Sequence, residues 1–107
     1  MWLYDGEPDH LKVSVRNAQL DEGGYVVLLE LDGGEVRLFG TRFPAKYLTT
    51  WREKAQLDGA KIVRVVVFGL HPRYEKIKRL IVQSLEGPGS QNLCHTIDDV
   101  LERAHIL

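Results

Sequence analysis

HPRYEKIKRLIVQSLE, residues 71–86, is the stretch on which the reading of the whole chain turns. Tyr74, Ile77, Ile81 and Leu85 fall at helical spacing, and Pro72 suits the opening of a helix. The same letters also read as a hairpin loop over residues 71–75 followed by a strand over residues 79–85, RLIVQSL. The apolar cluster Leu80-Ile81-Val82 and the length of seven favour the strand. With the strand, the chain is a β-rich α+β domain whose five antiparallel strands form a partly open barrel. With the helix, it is a three-to-four-stranded antiparallel sheet with residues 73–86 helical. Both readings stay open at this level.

Upstream, residues 10–17 alternate, Val13 and Val15 opposite Lys12, Ser14 and Arg16, which predicts a half-buried strand. Asp21-Glu22-Gly23-Gly24 signals a turn. YVVLLEL over Tyr25–Leu31 is β-branched and apolar enough for a central strand. Asp32-Gly33-Gly34 then makes a tight connection to a third strand over residues 35–40, because glycine accepts positive φ. Pro44–Leu57 reads as a helix. Proline suits its first position, Ala45, Leu48, Trp51 and Ala55 recur at helical spacing, and Asp58-Gly59 supplies the stop. KIVRVVVFG, residues 61–69, is the strongest strand signal in the chain.

Downstream, Gly87-Pro88-Gly89-Ser90 is a loop. Thr96 caps a short helix over about residues 96–106, with Asp98 and Asp99 at its positive end and Arg103 and His105 at its negative end. Trp2 and Tyr4 are read as pinning the N-terminal segment onto the domain or onto a partner.

Length and composition fit one domain over residues 1–107, with a core over about residues 10–87. Forty-four per cent apolar and 27% charged residues are ordinary for a globular chain. A single cysteine makes no internal disulfide, no export signal opens the chain, and the longest apolar run is too short for a bilayer. The expected location is the cytoplasm, with no membrane partner. Charge is unevenly spread. Residues 1–35 carry a net −6, residues 36–79 a net +8 and residues 80–107 a net −3. That central block is either a footprint for an anionic partner or the counterpart of the acidic ends once folded.

Three meandering strands, a helix and two further strands give an order that resembles the oligonucleotide/oligosaccharide-binding (OB) folds, over about residues 10–87. The resemblance is one of topology. It implies that Pro44–Leu57 plugs the barrel with Trp51 at its floor, and that ligand lies across the second and third strands and the four–five loop. The corresponding positions are Arg37, Phe39, Thr41 and Arg42, then His71, Arg73, Tyr74, Lys76 and Lys78. Cations that follow phosphates and rings that stack on bases are what single-stranded DNA or RNA requires. Asp21 and Glu22 in the one–two loop would keep a polynucleotide off that side.

No catalytic or metal-binding constellation is visible, and no cofactor is expected. Cys94-His95 has no second ligand pair, and Asp98 and Asp99 would raise rather than lower a thiol pKa. No phosphate cradle of the GxxxxGK[ST] kind exists. The alternative to nucleic acid is a protein-interaction or inhibitor-type domain. It would act as a homodimer or on another protein through Trp2, Tyr4 and the stripe containing Ile97 and Leu101.

Overall fold

Seven residues at the centre of the protein, Tyr25–Leu31, form strand β2, and all but the half-buried Glu30 are buried. A strand this apolar needs cover on both faces, and the computed structural model, which describes residues 2–86 and 92–93, supplies it. Tyr25, Val27, Leu29 and Leu31 point to one face, where Leu11, Val15, Ala18, Leu48, Trp51 and Ala55 meet them. Val26 and Leu28 point to the other, against Val36, Leu38, Val66 and Ile81. Each such side chain contributes about 1.5–3 kcal/mol by leaving water, so β2 is the ridge on which both layers hang.

Strand β3, Val36–Thr41, folds back on β2 with Val27 opposite Phe39 and Leu29 opposite Arg37. Gly34 turns the hairpin at φ +94° and donates its N–H to Leu31 O at 2.9 Å. Strand β4, Ile62–Phe68, lies antiparallel on the other side of β2, and β1, Trp2–Gly6, pairs with β4. Four strands in the order β1-β4-β2-β3 thus make an open antiparallel sheet, to which the two-residue β5, Asn92–Leu93, adds beside Val36 and Arg37.

Because β3 and β4 run the same way with β2 between them, the connection must cross a face of the sheet. Helix α2, Pro44–Leu57, makes that crossing and buries Pro44, Leu48, Trp51 and Ala55. It ends as its sequence predicts. Gly59 takes φ +74°, its N–H bonds Gln56 O, and Ala60 N–H bonds Ala55 O, closing the last carbonyls.

Two expected strands are helical instead. Over residues 10–17 a 3₁₀ turn, Pro8–His10, leads into a one-turn helix α1, Leu11–Ser14. Leu11 and Val15 are buried four residues apart while Val13 is 85% exposed, so the helical period wins over the alternation. Residues 79–85 belong to helix α3, Tyr74–Glu86, which lays Tyr74, Ile77 and Ile81 on the second face of the sheet. The helix reading of residues 73–86 is therefore the one the chain adopts, and the described residues form no closed barrel. The sheet also starts earlier than the expected core. Tyr4 on β1 packs against the α1–α2 side, its hydroxyl donating to Glu7 O. The expected helix over residues 96–106 lies outside the described residues.

Candidate functional site

Strand β3 carries Phe39 and Thr41 on the α2 face and Gly40 on the α3 face. Thr41 is buried, and its Oγ1 accepts the Phe43 N–H at 3.0 Å, which swings the chain from strand to helix in two residues. Phe43 becomes the N-cap of α2 without a side-chain cap of its own. That leaves the first turn of α2 with no acidic residue and with Lys46 in its place, flanked by Arg42, so positive potential at the helix start goes uncompensated.

An aromatic stack rises from this turn. Phe39 and Trp51 lie 5.0 Å apart between centroids at 17°, and Trp51 and Tyr47 lie 6.3 Å apart at 29°. Trp51 is buried within the stack, whereas Tyr47 and Phe43 are 40% and 36% exposed. These rings, with Gly40, Thr41, Arg42 and Tyr74, line an open cleft of about 350 Å3. Lys46 Nζ stands 5.6 Å from the Phe43 centroid and 5.8 Å from that of Tyr47.

The α3 side of the cleft is built on glycine. Gly24 and His71 exchange backbone hydrogen bonds of 3.1 and 3.0 Å, tying the start of α3 to the strand opposite. A Cβ on Gly23, already at φ +89°, would sit 2.2 Å from His71 O, and one on Gly24 2.8 Å from the Tyr74 ring. Gly40 leaves space in the same way for Tyr74 and for the Glu75 carboxylate. The pair that reads as a turn signal in the sequence is therefore also the seat of the His71-Pro72 segment.

Of the sequence-predicted ligand positions, the cleft brings together Phe39, Thr41, Arg42 and Tyr74. Arg42 Nε also donates to Gly23 O at 3.2 Å, which fixes the direction of its side chain. Arg37 is committed elsewhere. Only 15% of its side chain is exposed, it is gripped by Glu35 and by Asp58 at 2.7 Å, and these bonds, Glu35 first, raise its pKa further. His71 Nδ1 accepts the Arg73 N–H at 2.9 Å, so this ring serves the turn into α3. Arg73 and Lys76 are exposed and Lys78 is half-buried, all outside the cleft lining. Phe43, Lys46 and Tyr47 were not among the expected site residues. Their signal was an aromatic pair four apart astride the proline that opens a helix, with a lysine between. Ile97, Leu101, Cys94 and His95 lie outside the described residues.

Much of the charge asymmetry resolves into pairs across the fold. Asp5 meets Arg64 at 2.7 Å and Asp9 meets Arg52 at 2.7 Å, while Arg16 grips Glu22 with two N–H groups inside the acidic segment itself. Among the described residues Arg42, Lys46 and Arg73 enter none of these ion pairs, nor do Lys54, Lys61, Lys76, Lys78 and Arg79, and of them Arg42 lines the cleft. A second concavity of about 470 Å3 lies at the other end of α2, between Arg52, Gln56 and Lys61. It exposes no ring, and its Arg52 is the residue paired with Asp9.

Among the described residues no group of three or more His, Cys, Asp or Glu is arranged to hold a metal ion, and no helix is long and apolar enough to cross a membrane. No family model matches the chain, and neither does any curated protein or solved structure.

Proposed function

We propose that this protein is a binding module that holds a short run of single-stranded nucleic acid across the cleft between β3 and the start of α2. The observation that carries the reading is the pair of exposed rings, Phe43 and Tyr47, lining a concavity whose lining also includes the cationic Arg42, with the Glu75 carboxylate against Gly40 on the α3 side. Flat faces attract bases of any identity, each stacked base contributing about 1–3 kcal/mol. Arg42 and the positive end of the α2 dipole, which carries no acidic residue in its first turn, favour the phosphates between them.

Of the two acidic groups in the turn that weighs against a polynucleotide, Glu22 is paired with Arg16. Two bases and a few phosphates make a modest site. Affinity belongs in the range of about 10⁻⁶–10⁻⁴ M and is strongly salt-dependent. Titration of a labelled oligothymidylate at low and then moderate salt tests this. Binding that weakens steeply with salt, and that is lost in the Phe43→Ala, Tyr47→Ala double variant, is expected. Absence of binding at low salt, or an undiminished double variant, overturns it. Tyr74 is a poor target for the same test, because its ring also packs against the sheet core.

A further inference from the structure

Lys46 sits where a ligand has to go. Its ammonium lies within 6 Å of both exposed rings, 5.6 Å from Phe43 and 5.8 Å from Tyr47. Tyr47 is backed by Trp51, itself backed by Phe39, so the stack of rings can grow only outward from Tyr47, and Phe43 lines the same cleft. A base arriving there competes with the lysine for the same π surface. Nothing else holds the ammonium: among the described residues no carboxylate pairs with it, and its side chain is exposed on the first turn of α2.

From this geometry we infer that Lys46 is an exchangeable placeholder. In the free protein its ammonium caps the Phe43 and Tyr47 rings. When a strand binds, a base takes that place and the lysine swings out to a backbone phosphate of the same strand. This rests on the single-strand reading of the cleft and adds to it a specific order of partners. The chemistry favours the swap, because the ammonium exchanges a weak contact with two neutral rings for a full negative charge. Meanwhile the rings exchange a point contact for a flat one. A lysine suits this better than an arginine, which would itself stack on the rings as a flat plate and resist displacement.

The exchange gives Lys46 two opposing effects on affinity, and salt separates them. Lys46→Met keeps the aliphatic stem and removes the ammonium. For a single strand each phosphate contact adds about 0.7 to the slope of log affinity against log salt. The Lys46→Met slope should therefore be shallower than wild type by about that amount. Over a tenfold rise in salt the wild-type advantage should shrink about fivefold. At the highest salt the variant, its rings uncovered, should bind as well as wild type or better.

A labelled oligothymidylate titrated across salt with both proteins reads this directly. In parallel, the Lys46 side-chain NMR signals should be ring-shifted in the free protein and relax toward ordinary lysine values on titration. Parallel salt lines, or Lys46 signals that stay ring-shifted at saturation, overturn the exchange and leave the cleft reading standing. A wild type that binds no strand at low salt overturns both.

Discussion

Phe39 on β3 and Trp51 on α2 stack with centroids 5.0 Å apart and planes 17° from parallel, joining the edge of the sheet to the helix that crosses it. Trp51 is also one of the larger side chains in the core of that face. Trp51→Ala should cost about 3–5 kcal/mol of stability. In a double-mutant cycle with Phe39→Leu, the pair should show a coupling of about 0.5–1.5 kcal/mol. Urea unfolding of the four proteins measures both quantities. A coupling near zero would mean that the rings are merely neighbours.

Gly23 and Gly33 are both loop glycines with opposite prospects. Gly23 combines φ +89° with a would-be Cβ 2.2 Å from a backbone oxygen, so Gly23→Ala should destabilise by more than about 2 kcal/mol. It should also loosen the start of α3. Around Gly33 nothing lies within 4 Å, and Gly33→Ala should be neutral or slightly stabilising, by up to about 1 kcal/mol. Thermal melts of the two variants decide the matter. Equal melting temperatures would refute the close approach of the His71 segment.

Arg37 and Tyr47 separate the structural reading of the site from the one based on strand positions. Arg37 is occupied by Glu35 and Asp58, whereas Tyr47 is exposed at the cleft. Arg37→Gln should leave oligonucleotide affinity within about twofold while lowering the unfolding midpoint. Tyr47→Ala should reduce affinity by roughly the 1–3 kcal/mol of one stacked base with little change in stability. The reverse pattern would move the site to the outer part of β3.

Acid should weaken the fold in a definite window. The Arg16 guanidinium, and next the Gln19 N–H, pull the Glu22 carboxyl from its ordinary 4.5 down to about 2. Hydrogen bonds from Arg64 and Arg52 likewise lower Asp5 and Asp9. Each folded value lies below the unfolded one, so the ionised form stabilises the native state. For Glu22 that contribution is complete above about 4.5 and disappears as pH falls toward about 2. Glu22→Gln should therefore flatten the fall of the urea midpoint across this window and differ most from wild type near neutrality. Because the pair is exposed, the difference should be small and should fade in high salt. Parallel profiles for the two proteins would show that the pair contributes nothing.

Local pattern was enough to locate β2, β3, α2 and β4, because each carries its own period, its own turn chemistry and its own stop. It failed where two periods fit the same letters. Leu11, Val15 and Ala18 mark a helical face as well as Val13 and Val15 mark a strand, and only the sheet above them decides. In α3 the run Leu80-Ile81-Val82 imitated a buried strand, although Leu80 is 39% exposed. β1 was missed because its partner is some sixty residues away and nothing local announces it. The same limit applies to the cleft. Phe39, Arg42 and Tyr74 stand out by residue type, but the value of Phe43 and Tyr47 lies in their exposure, a property of the folded chain that no spacing rule contains.

The pairing of β1 with β4 sets an order of events during synthesis. Tyr4 sits opposite Val67, so β1 has no place to lie until β4 has left the ribosome. At about 5–20 residues per second that interval is roughly 3–12 seconds. Throughout it β1 lacks the backbone partners that β4 supplies in the finished sheet.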